Sequence, residues 1–366
     1  MTRHLLGCFG REKALPFKLF LERHPVLNRL IGSPLNAGLT LLALWFLFVS
    51  APPFLEWAFL DAAILPATPA NCADSDGACW SFVIAKARQI LLGVYPFDLQ
   101  WRPITVCIMI LGLLAYSVHP QNWKSKLLYV WVIALATIFL LMAGGLFGLT
   151  AVPTSAWGGL PVTLILTVVA IGGAFPISIV LALSRRSEMV LIRILSTLFI
   201  ELVRAVPLLS LLFVASIMLP IFLPEAFLPD KFVRALVALL LFASAYLAEV
   251  IRGGLQAIPR GQFEAADALG LSYYHKQRFI ILPQAIQVVI PSLANTVIVM
   301  IKNTSLILVI GLFDMISAGR AALADPEWQS PAVETYLFVS LIFFMLSFSF
   351  ARFADFLERR NASMQS

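Results

Sequence analysis

Residues 249–283 read EVIRGGLQAIPRGQFEAADALGLSYYHKQRFIILP, a polar island between two strongly apolar runs. The apolar runs are 232–247 before it and 285–310 after it. Each is close to the roughly 20 residues that a helix needs to cross a bilayer. The island itself predicts two short helices joined by a turn. Ala265, Ala266, Ala268 and Leu269 favour helix, and Glu264 and Asp267 suit its first turns, where the helix dipole favours anions. Gly270 stands where a left-handed residue ends a helix. Ser272 is placed to cap the second helix, and Pro283 ends that helix or begins the next. Phe263, Ala266 and Leu269 form the apolar face.

A polar stretch between membrane spans is ordinarily a solvated loop. Here the spacing says more. Glu264-Ala265-Ala266, then Gly270, then Ile280-x-Leu282-Pro283 fit the pattern EAA-x3-G-x9-I-x-LP. This is similar to the signature of ABC importer permeases, in the loop that docks into a groove on a cytoplasmic ATPase, a helix-in-groove mode of recognition. Further stretches narrow the resemblance to the polar amino-acid branch: 249–254 (EVIRGG), 261–271 (GQFEAADALGL), Leu282-Pro283-Gln284 and 302–306 (KNTSL). The long N-terminal half and Pro207-Leu208-Leu209 resemble the M-type permease subunit of general L-amino-acid importers. The branch's usual Arg-Gly-Thr-Pro is here Arg204-Ala205-Val206-Pro207.

Composition agrees with a membrane chain. Hydrophobic residues make up 60% and charged ones 13%, against roughly 25% charged in soluble domains. The mean hydropathy is +0.90. A net charge of +6 would suggest nucleic acid for a soluble protein; here it fits cytoplasmic loops rich in Lys and Arg, and no nucleic acid is implied. Residues 1–34 are basic, and no short apolar core with a small-residue cleavage site follows, so a cytoplasmic amphipathic segment is expected rather than a signal peptide.

The hydropathy pattern predicts eight spans, at about 36–59, 103–118, 127–147, 160–183, 194–222, 232–251, 286–312 and 334–354. The fifth is interrupted by Pro207. The loop 60–100 carries Asp61, Asp74, Asp76 and Asp98, with Lys86 and Arg88 on a candidate surface helix. Cys72 and Cys79 lie in it, either bridged in an oxidising compartment or left as two free thiols. The uncharged Gly/Pro stretch from Gly144 to Pro161 is the best boundary in the chain. It divides 1–150, a basic segment with three accessory spans and an external loop, from 151–366, a five-span core that carries every motif.

Charge tests this count. With the N-terminus inside, the inner segments become 1–35, 119–126, 184–193, 252–284 and 355–366, and all carry Lys or Arg. The outer segments are acidic, neutral or nearly balanced. The positive-inside rule is thus satisfied with both termini and the 249–283 island in the cytoplasm.

Catalytic chemistry finds no footing. The sequence has no phosphate-binding Gly-x4-Gly-Lys-Ser/Thr loop, and its four histidines form no Cys/His cluster, so neither ATP hydrolysis nor a metal site is implied. The informative residues are charges inside spans, each costing about 2.5–3.5 kcal/mol at a helix centre on insertion scales. Glu201 and Arg204 are three apart on the fifth span, Glu249 and Arg252 three apart on the sixth. That spacing puts each pair on one face, where its members can neutralise each other. On the seventh span Ser292, Asn295, Val299, Lys302 and Leu306 share one stripe. Lys302 has no carboxylate within four residues, and it either lines a path or pairs with Glu201 or Glu249 across the bundle. Asn303 and Ser305 beside it can supply neutral hydrogen bonds.

Together these readings give an all-α integral membrane protein of about eight helices. The resemblance implies the permease half of an ATP-driven importer. Its partners would be a cytoplasmic ABC ATPase, a homologous but non-identical second permease, a periplasmic amino-acid-binding protein and the lipid bilayer of the inner membrane. ATP and magnesium would be used by the ATPase, with no cofactor on this chain. Glu264, Ala265, Ala266, Gly270, Leu282 and Pro283 would couple the two. Glu201, Arg204, Glu249, Arg252, Asn295, Lys302, Asn303 and Ser305 are the candidate substrate path. An ion-coupled secondary transporter is the alternative, although three plus five spans without an evident repeat suit it poorly.

Overall fold

The computed structural model describes residues 25 to 365; the basic segment before them, with Cys8, lies outside the described residues. It is helical almost throughout. Among the described residues seven helical segments are long and apolar enough to cross a membrane, and a bent helix pair makes an eighth. By contact density the chain forms two units, one ending at Ser81 and one running from Phe82 to the C-terminus.

The first unit holds helix α1, Pro34–Leu55. Ser33 caps it by accepting the Asn36 N–H at 3.1 Å, and Pro34 opens it, where a missing N–H costs nothing. None of its side chains is buried within the chain, as expected of a helix whose surroundings are lipid tails as apolar as its leucines. A π turn, Glu56–Leu60, follows. The loop after it is tied by Ala78 N–H to Trp57 O (2.8 Å), Ala63 N–H to Ala78 O (2.9 Å) and Trp80 Nε1–H to Ala58 O (2.7 Å). Cys72 and Cys79 are joined by a disulfide, with Cα atoms 5.3 Å apart.

The second unit begins within α2, Trp80–Leu92, the helix expected to carry Lys86 and Arg88. It continues through α3 (Trp101–Val118), α4 (Lys126–Ala143), α5 (Gly159–Ser184), α6 (Val190–Ala205) and α7 (Leu208–Phe213). Then come α8 (Lys231–Ala257), α9 (Arg260–Ala268), α10 (Leu282–Val288), α11 (Ile290–Asn303), α12 (Met315–Ala322) and α13 (Ala332–Gln365). Helices α5 and α8 form the central pair. Leu164, Ile165, Ala170 and Ala174 pack with Ala235, Leu239, Phe242 and Ala243 in one buried cluster. Small residues let two apolar helices approach where water supplies no driving force between them. Helices α3 and α4 add Val106, Ile110, Ile138 and Met142 to the same core.

The spans depart from their expected form where polar or proline chemistry intrudes. The third ends at Ala143, not near 147, because Gly144 and Gly145 take φ of +65° and +83°. The fifth is more than kinked at Pro207: α6 and the following segment, Leu208–Phe222, meet at 103°. A π turn at Val214–Met218 leaves carbonyls open, and the Arg234 Nη1 donates to Ser216 O at 2.8 Å. The seventh is not one regular helix. It breaks at Val289 and ends as a 3₁₀ segment, Thr304–Ile310. There the Thr304 hydroxyl donates to Ile301 O and the Ser305 hydroxyl to Lys302 O, both at 2.7 Å, so side chains compete for the carbonyls of the last turn.

Candidate functional site

The 249–283 island folds as a hairpin at the foot of α8 and α10. Helix α9 ends in a Schellman motif: the Gly270 N–H donates to Asp267 O (2.9 Å) and the Leu271 N–H to Ala266 O (3.2 Å). Gly270 has φ of +69° and nothing within 4 Å of where a Cβ would be, so it is required for its conformation alone. The Lys276 ammonium crosses the turn to Asp267 Oδ1 at 2.6 Å. The second helix is a single turn, Tyr273–Lys276, running through a π turn at Gln277–Ile281 into α10, which Pro283 begins. Ser272 occupies the N-cap position, but its hydroxyl meets the His275 ring at 2.7 Å rather than a backbone N–H.

The expected apolar face divides in two. Ala266 is buried and Phe263 half-buried over Ile251, Leu255, Ile258, Ile281 and Ala285. Leu269, at the C-cap, is 75% exposed, and Tyr273, Tyr274 and Phe279 are exposed beside it. Glu264 and Ala265 are exposed as well, and Leu282 is half-buried. The base of the hairpin is pinned at Gly254, where a Cβ would lie 2.5 Å from Ala285 O, so only glycine lets α8 and α10 approach this closely. A cavity of about 520 Å³ opens beside α9, lined by Arg186, Leu255, Arg260, Phe263 and Glu264 among others.

Four of the intramembrane charges meet in one cluster, and Arg185 organises it. Arg185, the C-cap of α5, donates to Glu201 at 2.6 Å through Nη2 and to Glu249 at 3.0 Å through Nη1. Arg252 holds both oxygens of Glu249, at 2.9 and 2.5 Å. Arg204 lies 3.9 Å from Glu249 and 5.7 Å from the Tyr246 ring centroid. The Glu249–Arg252 spacing thus gives a pair, whereas Glu201 and Arg204 reach past each other to other helices. Three guanidiniums surround two carboxylates, tying α5, α6 and α8 together. In sequence Arg185 is one of the basic residues of the inner segment 184–193; its place in an Arg-Arg pair at a helix end is the available signal. The neighbouring Arg186 serves the hairpin, donating to Leu255 O at 2.9 Å and lying 5.7 Å from the Phe263 ring centroid.

Lys302 stands apart. It is exposed on α11 and makes no ion pair among the described residues, so neither Glu201 nor Glu249 neutralises it. Ser292, Asn295 and Val299 are exposed on the same stripe, with Asn303 and Ser305 half-buried near its end. Among the described residues no group of three or more His, Cys, Asp or Glu is arranged to hold a metal ion.

Comparison with known proteins places this architecture. The family model for the binding-protein-dependent transport system inner membrane component matches residues 174–363. The inner membrane amino-acid ABC transporter permease protein YhdY of Escherichia coli (strain K12) is 46% identical over 341 residues, 92% of each chain. The glutamate/glutamine/aspartate/asparagine transport system permease protein BztC of Rhodobacter capsulatus is 34% identical, over 91% of this chain and 92% of that one. Among solved structures, an amino acid ABC transporter crystallised with histidines aligns with a TM-score of 0.48 at 32% identity, covering 54% of this chain and 90% of that chain. By its hairpin, its spans and these relatives, the chain is a multi-pass membrane protein that belongs to the binding-protein-dependent transport system inner membrane component family.

Proposed function

We propose that this chain is a permease subunit of an ATP-driven amino-acid importer, forming half of the pore and taking its power stroke through the hairpin at 249–283. The observation that carries the reading is the hairpin itself. Its Schellman turn and glycine-pinned base make a rigid unit, and that unit presents Glu264, Leu269, Tyr274 and Phe279 outward. An exposed apolar patch on a charged loop is what a partner groove takes up. The partners are a cytoplasmic ABC ATPase on that patch, a second, homologous permease, and an amino-acid-binding protein on the opposite face. ATP and magnesium belong to the ATPase. The amino-acid substrate is supported by the names of both full-length relatives.

Both termini and the hairpin lie in the cytoplasm, a topology supported by the distribution of Lys and Arg. Residues 1–150 act as an accessory unit, which accords with a family match that begins only at residue 174.

Within the membrane, Lys302 is the carboxylate partner of a travelling amino acid, because its charge is exposed and unmatched on a polar stripe. Asn295, Asn303 and Ser305 supply neutral contacts along it. Arg204 faces the same path from the rim of the cluster, while Glu201, Glu249 and Arg252 hold it in place. In alternating access, closure of the ATPases moves the hairpin, and α8, α10 and Arg186 pass that motion to α5.

The test is Glu264→Lys, with ATPase co-purification and amino-acid uptake measured on the same membranes. The expected result is normal insertion with both readouts lost. Normal values for both would remove the hairpin from the coupling path.

A further inference from the structure

A crevice of about 400 Å³ runs between α11 and α13, outside the hairpin and the charge cluster. Its walls are mostly hydrocarbon: Ile290 and Leu293 on one side, Phe350, Phe353 and Leu357 on the other, with the polar Gln287 of α10 between the crevice's ends. Along α13 the lining extends from Phe350 to Arg360, a rise of about 15 Å, or half of a roughly 30 Å hydrocarbon core. Its depth is therefore that of one bilayer leaflet. A void of this size lined by side chains loses dispersion contacts unless something apolar fills it.

One end of the crevice is chemically different. Arg360 and Trp123 both line it, and the guanidinium lies 5.5 Å from the indole centroid. Trp123 comes from the loop between α3 and α4, and Arg360 from the last turns of α13, so both sit where helices leave the bilayer. Lys124 and Lys126 flank Trp123, and Arg359 precedes Arg360. Of the carboxylates nearby on α13, Asp355 lies 3.8 Å from Arg352, and Glu358 is the other. An indole at this depth is the usual marker of the headgroup layer. Basic residues around a pocket between membrane helices attract anionic headgroups.

We propose that this crevice is a binding site for one anionic phospholipid, with an acyl tail between α11 and α13 and its phosphate on Arg360. The tail length matches the leaflet-deep hydrocarbon slot, and the charge at its end selects the headgroup. That the leaflet is the cytoplasmic one rests on the topology proposed above; the site itself does not. A lipid here braces α11, the helix that carries Lys302, against α13.

The test uses the whole permease–ATPase complex, reconstituted in vesicles of equal phosphatidylglycerol and phosphatidylcholine and extracted in mild detergent. Native mass spectrometry then counts the phospholipid retained. The expected result is retained phosphatidylglycerol in clear excess over phosphatidylcholine. Arg360→Gln should lower that preference about fivefold, the effect of one basic residue near the surface, with the amount of complex unchanged. Ala354→Phe, which places a ring in the crevice wall, should remove the retained lipid while the two permeases stay paired. Because a ring at buried Ala354 can also disturb packing, Arg360→Gln stands as the independent variant. Wild-type complex that retains no lipid, or both lipids equally, overturns the site. So does unchanged preference in Arg360→Gln. If Ala354→Phe separates the permeases instead, the crevice is a subunit interface and the proposal fails.

Discussion

Arg185 and Arg186 are adjacent in sequence, yet they serve two regions built on opposite plans. Arg186 reaches the hairpin, whose other bonds are mostly local: the Gly270 turn closes within six residues and Lys276 meets Asp267 nine residues away. Arg185 reaches the charge cluster, whose bonds span 16 and 64 residues and join three helices. The hairpin is closed largely by contacts within itself. The cluster ties three helices together, pairing charges that sequence alone would offer to a substrate. Lys302 belongs to neither plan: it makes no ion pair among the described residues, and the proposed role in the substrate path rests on that isolation.

The largest expected effect follows from that isolation. Lys302→Met should leave the amount of folded protein unchanged, since it breaks no ion pair among the described residues. It should weaken amino-acid uptake roughly ten- to hundredfold, the worth of one charge-assisted hydrogen bond of about 1.5–3 kcal/mol. The loss should be similar for every amino acid carried, because the contact is to their common carboxylate. Uptake and protein level measured together decide it: lost abundance, or a defect confined to one substrate class, would return Lys302 to a packing role.

Next in size is Arg185→Met. It strips Glu201 and Glu249 of a shared partner that is 20% exposed. Two charge-assisted bonds are lost, and with solvent screening the cost is about 1–2 kcal/mol. Thermal unfolding of the purified complex should shift down accordingly. Arg186→Met should leave that midpoint nearly unchanged and instead raise ATP hydrolysis per amino acid imported, because it removes the polar hold of α5's end on the hairpin while the apolar packing of Ala182 remains. Equal effects of the two variants on both readouts would erase the distinction between the regions.

The contrast also explains what the sequence could disclose. Gly270, the helix breaks around it and the approximate span limits follow from local rules, and the chain obeys them. The pairing of Glu249 with Arg252 was equally legible at a spacing of three. The pairing of Glu201 with Arg185 was not, because it depends on how α5 and α6 come together. The 103° bend after Ala205 exceeded what Pro207 alone announces. The 3₁₀ end of the seventh span depends on hydroxyls of Thr304 and Ser305 turning back on their own helix, a choice that apolar periodicity conceals. Leu269 reads as apolar and therefore buried, but a C-cap position aims it outward, where a partner can use it.

A more local effect is expected in the hairpin. Gly270→Ala forces a side chain into the left-handed region at about 1–2 kcal/mol. No neighbour crowds the position, so the strain should fray the turn without unfolding the spans. Hydrogen exchange should quicken at Leu271 and its neighbours and remain unchanged in α5 and α8. Quickened exchange in α5 as well would mean that the hairpin and the cluster are one cooperative body.

The smallest effect lies elsewhere in the second unit, where a third kind of contact joins distant segments by a single half-buried pair. The Lys86 ammonium meets Asp325 at 2.5 Å, tying α2 to the loop after α12, and Phe82 packs edge-on against Trp328 beside it. The hydrogen bond from Lys86, helped by the Glu327 N–H, holds the Asp325 carboxyl below its usual range. A lowered carboxylate pKa gives a stabilising contribution that is full above the unfolded value and lost as pH falls through the folded one. The contact should therefore be indifferent to pH between about 5 and 8 and fail only below about 4. Because the pair is partly solvated and screened, Lys86→Gln at neutral pH should change the midpoint of unfolding very little, while the packing of Phe82 on Trp328 keeps α2 in place. Tryptophan fluorescence followed from pH 7 to 3, in the wild type and in Lys86→Gln, separates the two contributions. A wild-type signal that holds from pH 7 to 5, moves below about pH 4 and is abolished by the substitution would show that this pair, and not the aromatic contact, governs the docking of α2.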